Sequence, residues 1–113
     1  MSRYDIRRCF TAAEALGSVP GEKGEHSAEL FRHGSLQVKV YAPVGEDNQT
    51  PHTKDEAYVV LRGNGVYVTE DNKRREVGEG DFCFAPAGST HRFEDFSDGF
   101  AVWVIFYGPD GGE

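Results

Sequence analysis

The stretch PHTKDE, residues 51–56, leads into an apolar segment and ends at Gly63. It places an imidazole and a carboxylate four residues apart, at the beginning of a predicted strand. A second stretch, residues 80–95, has the turn residues Pro86 and Gly88 just before His91. Adjacent strands of a β-barrel can bring residues that are distant in sequence onto one inner wall. The two stretches together therefore predict a single metal pocket.

The spacing of apolar residues changes to a period of two after residue 26. Leu36, Val38 and Val40 alternate with polar neighbours, as expected of a half-buried strand. Turn signals separate about eight such strands, in the ranges 27–32, 36–41, 57–61, 66–69, 74–77, 82–85, 91–93 and 100–107. Many short strands with frequent turns predict an all-β fold, either a sandwich, a jelly roll or a barrel.

Some segments allow more specific predictions. Gly63-Asn64-Gly65 separates two strands, and Asn-Gly is a strong hairpin signal. The last strand, residues 100–107, is apolar on both faces, which predicts a central position in its sheet. The tail at residues 108–112 is expected to be mobile or to lie on the surface.

One short helix is predicted near the N-terminus. Thr11 and Glu14 have the spacing of a capping box, and Gly17 is a typical helix end.

Length and charge restrict the class of protein. A chain of 113 residues is of ordinary size for one domain, so we expect a single domain over residues 1–113. The net charge is −7, and the Lys and Arg residues form no cluster. A surface that binds phosphate needs clustered positive charge, so nucleic acid is not an expected partner.

The apolar segments and the cysteines bear on the compartment. No apolar run approaches the roughly 18 residues of a membrane-spanning helix. Residues 1–5 lack the apolar core of a signal peptide. A cytoplasmic protein with no membrane partner is therefore expected. Cys9 and Cys83 have no CxxC spacing, and Cys83, inside an apolar strand, is predicted to be a buried, inert thiol.

His52, Glu56 and His91 are the candidate metal ligands. Zinc, iron, nickel and manganese all accept imidazole, and the harder ions also accept a carboxylate. A single histidine near a loop is more often a surface residue, and His26 and His33 are interpreted in that way.

The candidate ligands lie in a template that resembles the two motifs of the cupin superfamily. The first motif is approximately G-x5-H-x-H-x3-4-E-x6-G, and His52, Glu56 and Gly63 match its C-terminal half. The second, G-x5-P-x-G-x2-H-x3-N, is matched by Gly80, Pro86, Gly88 and His91, with Asp95 in place of Asn. The resemblance spans residues 36–107 and implies a cupin double-stranded β-helix, that is, a jelly-roll barrel. Among cupins, the chain is most similar to small single-domain proteins related to tetracenomycin polyketide synthesis proteins.

The main departure from the family pattern is Thr50, which stands where the first motif has its first histidine. Gly45 is also one residue off the pattern. The usual cupin set of three His and one Glu around a divalent metal is thus reduced to three ligands. Three outcomes are open. The site is an open triad of two histidines and one carboxylate, or it gains a ligand from Gln49, Asp55 or His33. Alternatively, it has lost its metal and uses His52 and His91 for acid–base chemistry or binding.

The pocket wall is expected to be apolar and aromatic, with Thr50 at the place of the missing histidine. The candidates for this wall are Tyr58, Phe82, Phe84, Phe93, Trp103 and Phe106. If Glu56 faces inward, the strand period of two puts Tyr58 on the same face, with its hydroxyl beside the metal. Tyr58 is therefore the candidate catalytic residue.

The resemblance implies three functional hypotheses. The first is a metal-dependent enzyme, such as a dioxygenase, cyclase or isomerase, that acts on a small organic molecule. The second is a non-catalytic module that binds a small ligand in the same pocket. The third is a metal-free isomerase in which His91 or His52 moves a proton. Small cupins are commonly homodimers, so a homodimer is expected, with the strand at residues 27–32 pairing across the interface.

Overall fold

The structure is a computed structural model that describes residues 8–113. This range contains one helix, α1 (Ala12–Gly17), and eight strands: β1 (Ser27–His33), β2 (Leu36–Tyr41), β3 (Asp55–Arg62), β4 (Asn64–Val68), β5 (Arg74–Gly78), β6 (Phe82–Ala85), β7 (Arg92–Glu94) and β8 (Ala101–Tyr107). The all-β fold with a short N-terminal helix is thereby confirmed. Residues 1–5, on which the signal-peptide prediction rests, lie outside the described residues.

The strands form two antiparallel sheets that share one core. The larger sheet has the order β1-β2-β8-β3-β6, and the smaller has the order β5-β4-β7. Buried side chains from both sheets meet in a single cluster, formed by Tyr58, Val60, Tyr67, Val77, Cys83, Ala85, Phe93, Phe100, Val102, Val104 and Phe106. This arrangement agrees with the predicted jelly roll. Within residues 8–113, none of the helical segments has the length and apolar character to span a membrane.

The last strand is central, as predicted. β8 pairs with β2 on one side and with β3 on the other. Its register aligns Val104 with Tyr58 on β3 and with Lys39 on β2. Residues directly opposite each other in an antiparallel pair lie on the same face of the sheet. This row therefore sets which side chains face the interior.

The hairpin predicted at Gly63-Asn64-Gly65 is wrong. β3 pairs with β6 and β8, whereas β4 pairs with β5 and β7, so Gly63 is the corner where the chain passes from one sheet to the other. Gly63 has φ +81°, and a Cβ there would lie 2.5 Å from Oγ of Ser97. A glycine tolerates both constraints. The Asn-Gly pair correctly predicted a sharp turn, but it does not determine which strands pair.

The helix start was predicted correctly. Oγ1 of Thr11 accepts the N–H of Glu14 at 3.1 Å, and Oε1 of Glu14 accepts the N–H of Thr11 at 3.2 Å. These reciprocal bonds form the capping box that the spacing indicated.

Candidate metal centre

The three candidate ligands meet at one point on the inner face of the larger sheet. One potential ligand atom from each of His52, Glu56 and His91 lies within 4.8 Å of the other two. Oε1 of Glu56 is 2.9 Å from Nε2 of His91 and 3.8 Å from Nε2 of His52. Glu56 and His91 are buried, whereas 36% of the His52 side chain is exposed. The group therefore has two buried members and one that reaches towards solvent.

Separate loops and strands position these three side chains. Glu56 lies near the start of β3, on the same face as Tyr58. His52 lies in the preceding loop, and its carbonyl accepts the N–H of Gly88 at 2.8 Å. This bond ties the His52 loop to the turn that leads to His91. The ring of Phe106 packs edge-on against His52, with 4.9 Å between ring centroids.

The hydrogen bonds of His91 fix the role of its two nitrogens. Nδ1 lies 3.0 Å from the carbonyl of Ser89, which can only accept, so Nδ1 carries a proton. Nε2 lies 2.9 Å from both the hydroxyl of Tyr58 and Oε1 of Glu56. Burial lowers the pKa of His91, but its contacts with the Glu56 carboxylate and the Ser89 carbonyl outweigh burial, and the net shift is upwards. A positive charge is favoured at this point.

The Glu56 carboxylate tests whether a metal fits. Although Nε2 of His91 is only 2.9 Å away, the angles are not those of a hydrogen bond, and among residues 8–113 Oε1 of Glu56 has no hydrogen-bond partner. A buried carboxylate oxygen without a partner is costly. A divalent ion between Oε1 and the two imidazoles would satisfy it, and two imidazoles with one carboxylate suit first-row transition metals. The residues present therefore fit the metal that the motifs imply.

A cavity of about 840 Å³ opens onto this group. Its lining comes from β1 and the residue before it, from β2, β3 and β8, and from the loop before β3: His26, Ser27, Lys39, Tyr41, Val44, Gly45, Glu46, Asn48, Gln49, His52, Glu56, Tyr58, Val104 and Phe106. The volume falls in the range of sites for small organic ligands. Its lining contains both polar and apolar side chains, so it can hold a ligand with both kinds of group.

Residues 37–107 match the model of the cupin domain. The chain belongs to the cupin family. A relative, an uncharacterised protein of Streptomyces coelicolor, is 32% identical to this cupin over 84 residues, which are 73% of this chain and 79% of the relative. The two sequence motifs predicted membership of the cupin family, and this prediction is confirmed.

Two solved structures illustrate the likeness in fold. The protein NMB1881 from Neisseria meningitidis is 16% identical, with a TM-score of 0.70 over 88% of this chain and 99% of that one. The DMSP lyase DddQ from Ruegeria pomeroyi is 25% identical, with a TM-score of 0.65 over 88% of this cupin and 55% of the lyase. The narrower similarity to tetracenomycin synthesis proteins stays a prediction.

Asp47 organises the loop beside the candidate metal centre of this cupin, and the sequence analysis missed it. Its buried carboxylate accepts the hydroxyl of Tyr41 at 2.7 Å, the side-chain amide of Gln49 at 2.6 Å and the backbone N–H of Phe93 at 2.8 Å. Gln49 in turn accepts the hydroxyl of Tyr58 at 2.7 Å. In the sequence, Asp47 is one of several acids in a polar loop, and no local signal distinguishes it.

The candidates for a fourth ligand lie outside the three-residue group. The amide oxygen of Gln49 faces Tyr58, and its nitrogen faces Asp47. The two oxygens of Asp55 accept the N–H groups of Ala87 and Glu113, each at 2.9 Å. His33 is exposed at the end of β1. Because Gln49 and Asp55 are hydrogen-bonded elsewhere and His33 is exposed, the candidate site consists of two histidines and one carboxylate.

Several predicted wall residues lie elsewhere. Trp103 is aligned with Val59, so it faces away from the cavity, because its neighbour Val104 faces in. The same alternation turns Phe82 and Phe84 outward, where they are exposed. Phe93 is buried in the core behind Tyr58, with 5.1 Å between ring centroids. Thr50 is exposed and is not among the residues that line the cavity. Tyr58 and Phe106 do line it.

Proposed function

We propose that this cupin is a metal-dependent enzyme that acts on a small organic molecule in the 840 Å³ cavity. His52, Glu56 and His91 would hold one divalent transition metal. The observation that carries the proposal is the buried Oε1 of Glu56, which has no hydrogen-bond partner among residues 8–113 and lies beside two imidazole nitrogens. A purely structural carboxylate would be expected to accept hydrogen bonds.

The position of His52 indicates how a substrate would reach the site. Glu56 and His91 are almost fully buried, whereas His52 is partly exposed and lines the cavity. His52 and Glu56 both line the cavity, so a substrate there would lie beside the residues that would hold the metal. When bound there, a divalent metal supplies Lewis-acid polarisation of a substrate oxygen.

Tyr58 is the candidate acid–base group. Its hydroxyl lies 2.9 Å from Nε2 of His91 and donates to Gln49. Burial and then the charge of Glu56 raise the pKa of Tyr58 far above its ordinary value, so it keeps its proton. If the hydrogen turned from Gln49 to a substrate oxygen, it would stabilise negative charge there. This favours isomerase, cyclase or lyase chemistry, in which a proton moves. The DMSP lyase DddQ, at 25% identity, supports an enzyme of this kind.

Metal content tests the site directly. The protein is purified without added metal, and each variant is measured by elemental analysis. We expect about one transition-metal ion per chain in the wild type and a loss of at least about tenfold in His52→Ala, Glu56→Gln and His91→Ala. His33→Ala, which removes an exposed histidine outside the site, is the matched control. A wild-type content well below one ion, unchanged in the three variants, contradicts the metal centre.

Tyr58→Phe separates an enzyme from a binding module. Turnover of a panel of small oxygenated molecules is followed by NMR with metal-loaded protein. We expect the variant to keep its metal and to lose about 100-fold or more of the turnover, as for other general acid–base groups. Ligand binding without turnover in the wild type would instead indicate the non-catalytic module.

A further inference from the structure

Lys39 occupies an unusual place for a lysine. It lies on β2, and β2 is an interior strand of the larger sheet, between β1 and β8. Its register partner is Val104, which is aligned in turn with Tyr58. Lys39 therefore faces the cavity from the same side of the sheet as Tyr58. Lysines on the inner face of an interior strand are rare unless they are paired.

Within residues 8–113, the side chain of Lys39 makes no hydrogen bond or ion pair, although the residue is half-buried. The carboxylate aligned with it on β1 is that of Glu29. Glu29 is already engaged by Arg32, at 2.7 Å, and by Gln37, at 2.8 Å, and Lys39 affects it only through longer-range charge. Lys39 thus lines the cavity, and its ammonium group has no ion-pair partner among residues 8–113.

We propose that the cavity binds a small organic carboxylate, whose carboxylate group pairs with Lys39 while its other end reaches the group formed by His52, Glu56 and His91. This inference rests on the proposed function only for the contact with the candidate metal centre, and not for the pairing with Lys39.

The dimensions suit a short ligand. Neighbouring strands are about 4.8 Å apart, so two strand spacings separate the backbones of Tyr58 and Lys39 by about 10 Å. A lysine side chain is long and flexible, so its ammonium group can cover part of this distance. A carboxylic acid with a few carbons and one further oxygen can therefore span from the ammonium group to the metal centre.

The charges of the lining favour a single negative charge. Among residues 8–113, Lys39 is the one lysine that lines the cavity, and the exposed Glu46, also in the lining, would repel a dianion. Arginine forks and clustered backbone N–H groups are the usual means of binding phosphate, whereas a lysine acts as a point charge. His26, also in the lining, offers one more polar partner. These features point to a carboxylate rather than a phosphate ester.

The test compares two probes of equal shape, 3-hydroxybutyrate and its uncharged amide 3-hydroxybutyramide. Binding to zinc-loaded protein is measured by titration calorimetry or ligand-observed NMR. We expect the carboxylate to bind about tenfold or more tightly than the amide. Lys39→Met should remove this preference with metal content unchanged, and Lys39→Arg should keep part of it. Lys73→Met removes an exposed lysine that pairs with Asp71 and should have no effect.

The remaining outcomes separate this inference from the proposed function. If Glu56→Gln loses zinc but keeps a Lys39-dependent preference for the carboxylate, the inference stands. The inference also stands if the wild type never binds metal but shows the Lys39-dependent preference for the carboxylate. Equal binding of the two probes by the wild type overturns it, as does an undiminished preference in Lys39→Met. No binding of 3-hydroxybutyrate up to about 10 mM, or tighter Lys39-dependent binding of inorganic phosphate, also overturns it.

Discussion

The carboxylate of Asp47 accepts the backbone N–H of Phe93 at 2.8 Å, across 46 residues of chain. Through this bond, the loop before β3 is fastened to β7 in the smaller sheet. The same carboxylate holds Tyr41 and Gln49, and Gln49 holds the hydroxyl of Tyr58. One buried acid therefore connects both sheets to the candidate catalytic tyrosine.

We expect Asp47→Ala to lower the free energy of unfolding by about 2–4 kcal/mol, because donors from Tyr41, Gln49 and Phe93 lose their acceptor together. Urea denaturation followed by fluorescence measures the change. The matched control is Glu46→Ala, which removes an adjacent exposed acid and should change stability by less than about 0.5 kcal/mol. Equal effects of the two substitutions would contradict the role of Asp47.

A second prediction concerns the C-terminal residues. They lie on the surface and are hydrogen-bonded to the segment between two of the candidate ligands. The N–H of Gly111 donates to Thr53 at 2.6 Å, and that of Glu113 donates to Asp55 at 2.9 Å. Gly112 has φ +90°, and a Cβ there would lie 2.8 Å from Oδ1 of Asp55. Gly112→Ala should therefore destabilise the protein by about 2–3 kcal/mol, through backbone strain and displacement of Asp55.

Gly111→Ala is the control for this prediction. Gly111 has φ +93°, but a Cβ there would have no neighbour within 4 Å. Its substitution should cost only the strain, about 1–2 kcal/mol. Thermal denaturation of both variants measures the difference between them, and a difference of zero would show that the contact with Asp55 does not matter.

The two cysteines should react at very different rates. Cys83 is buried, and burial, followed by the charge of Asp81, raises its pKa to about 11. Thiolate is the reactive form, so less than about 1% of Cys83 is reactive at a pH of about 8. Cys9 is exposed. We expect one thiol to react rapidly with a disulfide reagent in the native protein and the second only after unfolding. Cys9→Ser should abolish the rapid phase, and a rapid phase of two thiols would be inconsistent with this structure.

The homodimer remains a prediction, and the outer face of the larger sheet is where we expect it to form. This outer face carries apolar residues on all five strands, namely Ala28, Phe31, Val38, Val59, Phe82, Phe84, Trp103 and Ile105, while Val40 and Ala57 on the same face are buried within the chain itself. Phe82 and Phe84 are 64% and 41% exposed. β1 is an edge strand next to this face, so its free backbone groups can pair with a second copy.

Sedimentation at micromolar concentration tests the dimer. The wild type should sediment with the mass of two chains of 12.5 kDa. Phe84→Glu should shift the protein towards monomer, because it puts a charge into an apolar interface. Val44→Glu changes an equally apolar and more exposed residue, 69% exposed, that lies at the cavity and not on the outer face. A wild type that is monomeric at these concentrations argues against the dimer.

The strands and the ligand residues were predictable because their signals are local. Period-two alternation identified the strand at Leu36–Tyr41, and turn residues marked its ends. The spacing of His52, Glu56 and His91 fitted a known template, and the structure brings these three residues together. Each of these inferences used neighbours within a few residues or a fixed spacing along the chain.

Partners that are distant in sequence were not predictable in the same way. An Asn-Gly turn has the same sequence in two different situations. The strand after it can pair with the strand before it, or, as at Gly63, the chain can cross to another sheet. Trp103 and Val104 are both apolar, so only the register with β3 shows that Trp103 faces outward.

The sequence by itself therefore determined the all-β class, the cupin motifs and the three candidate ligands, since these follow from local periodicity and spacing. Only the tertiary structure decided that Asp47 supports Tyr58 and that Lys39 faces the cavity. It also showed that Asp55 accepts the backbone N–H groups of Ala87 and Glu113. The physical reason is that a side chain's partners depend on strand pairing and register, which are set by many weak contacts summed over the whole fold.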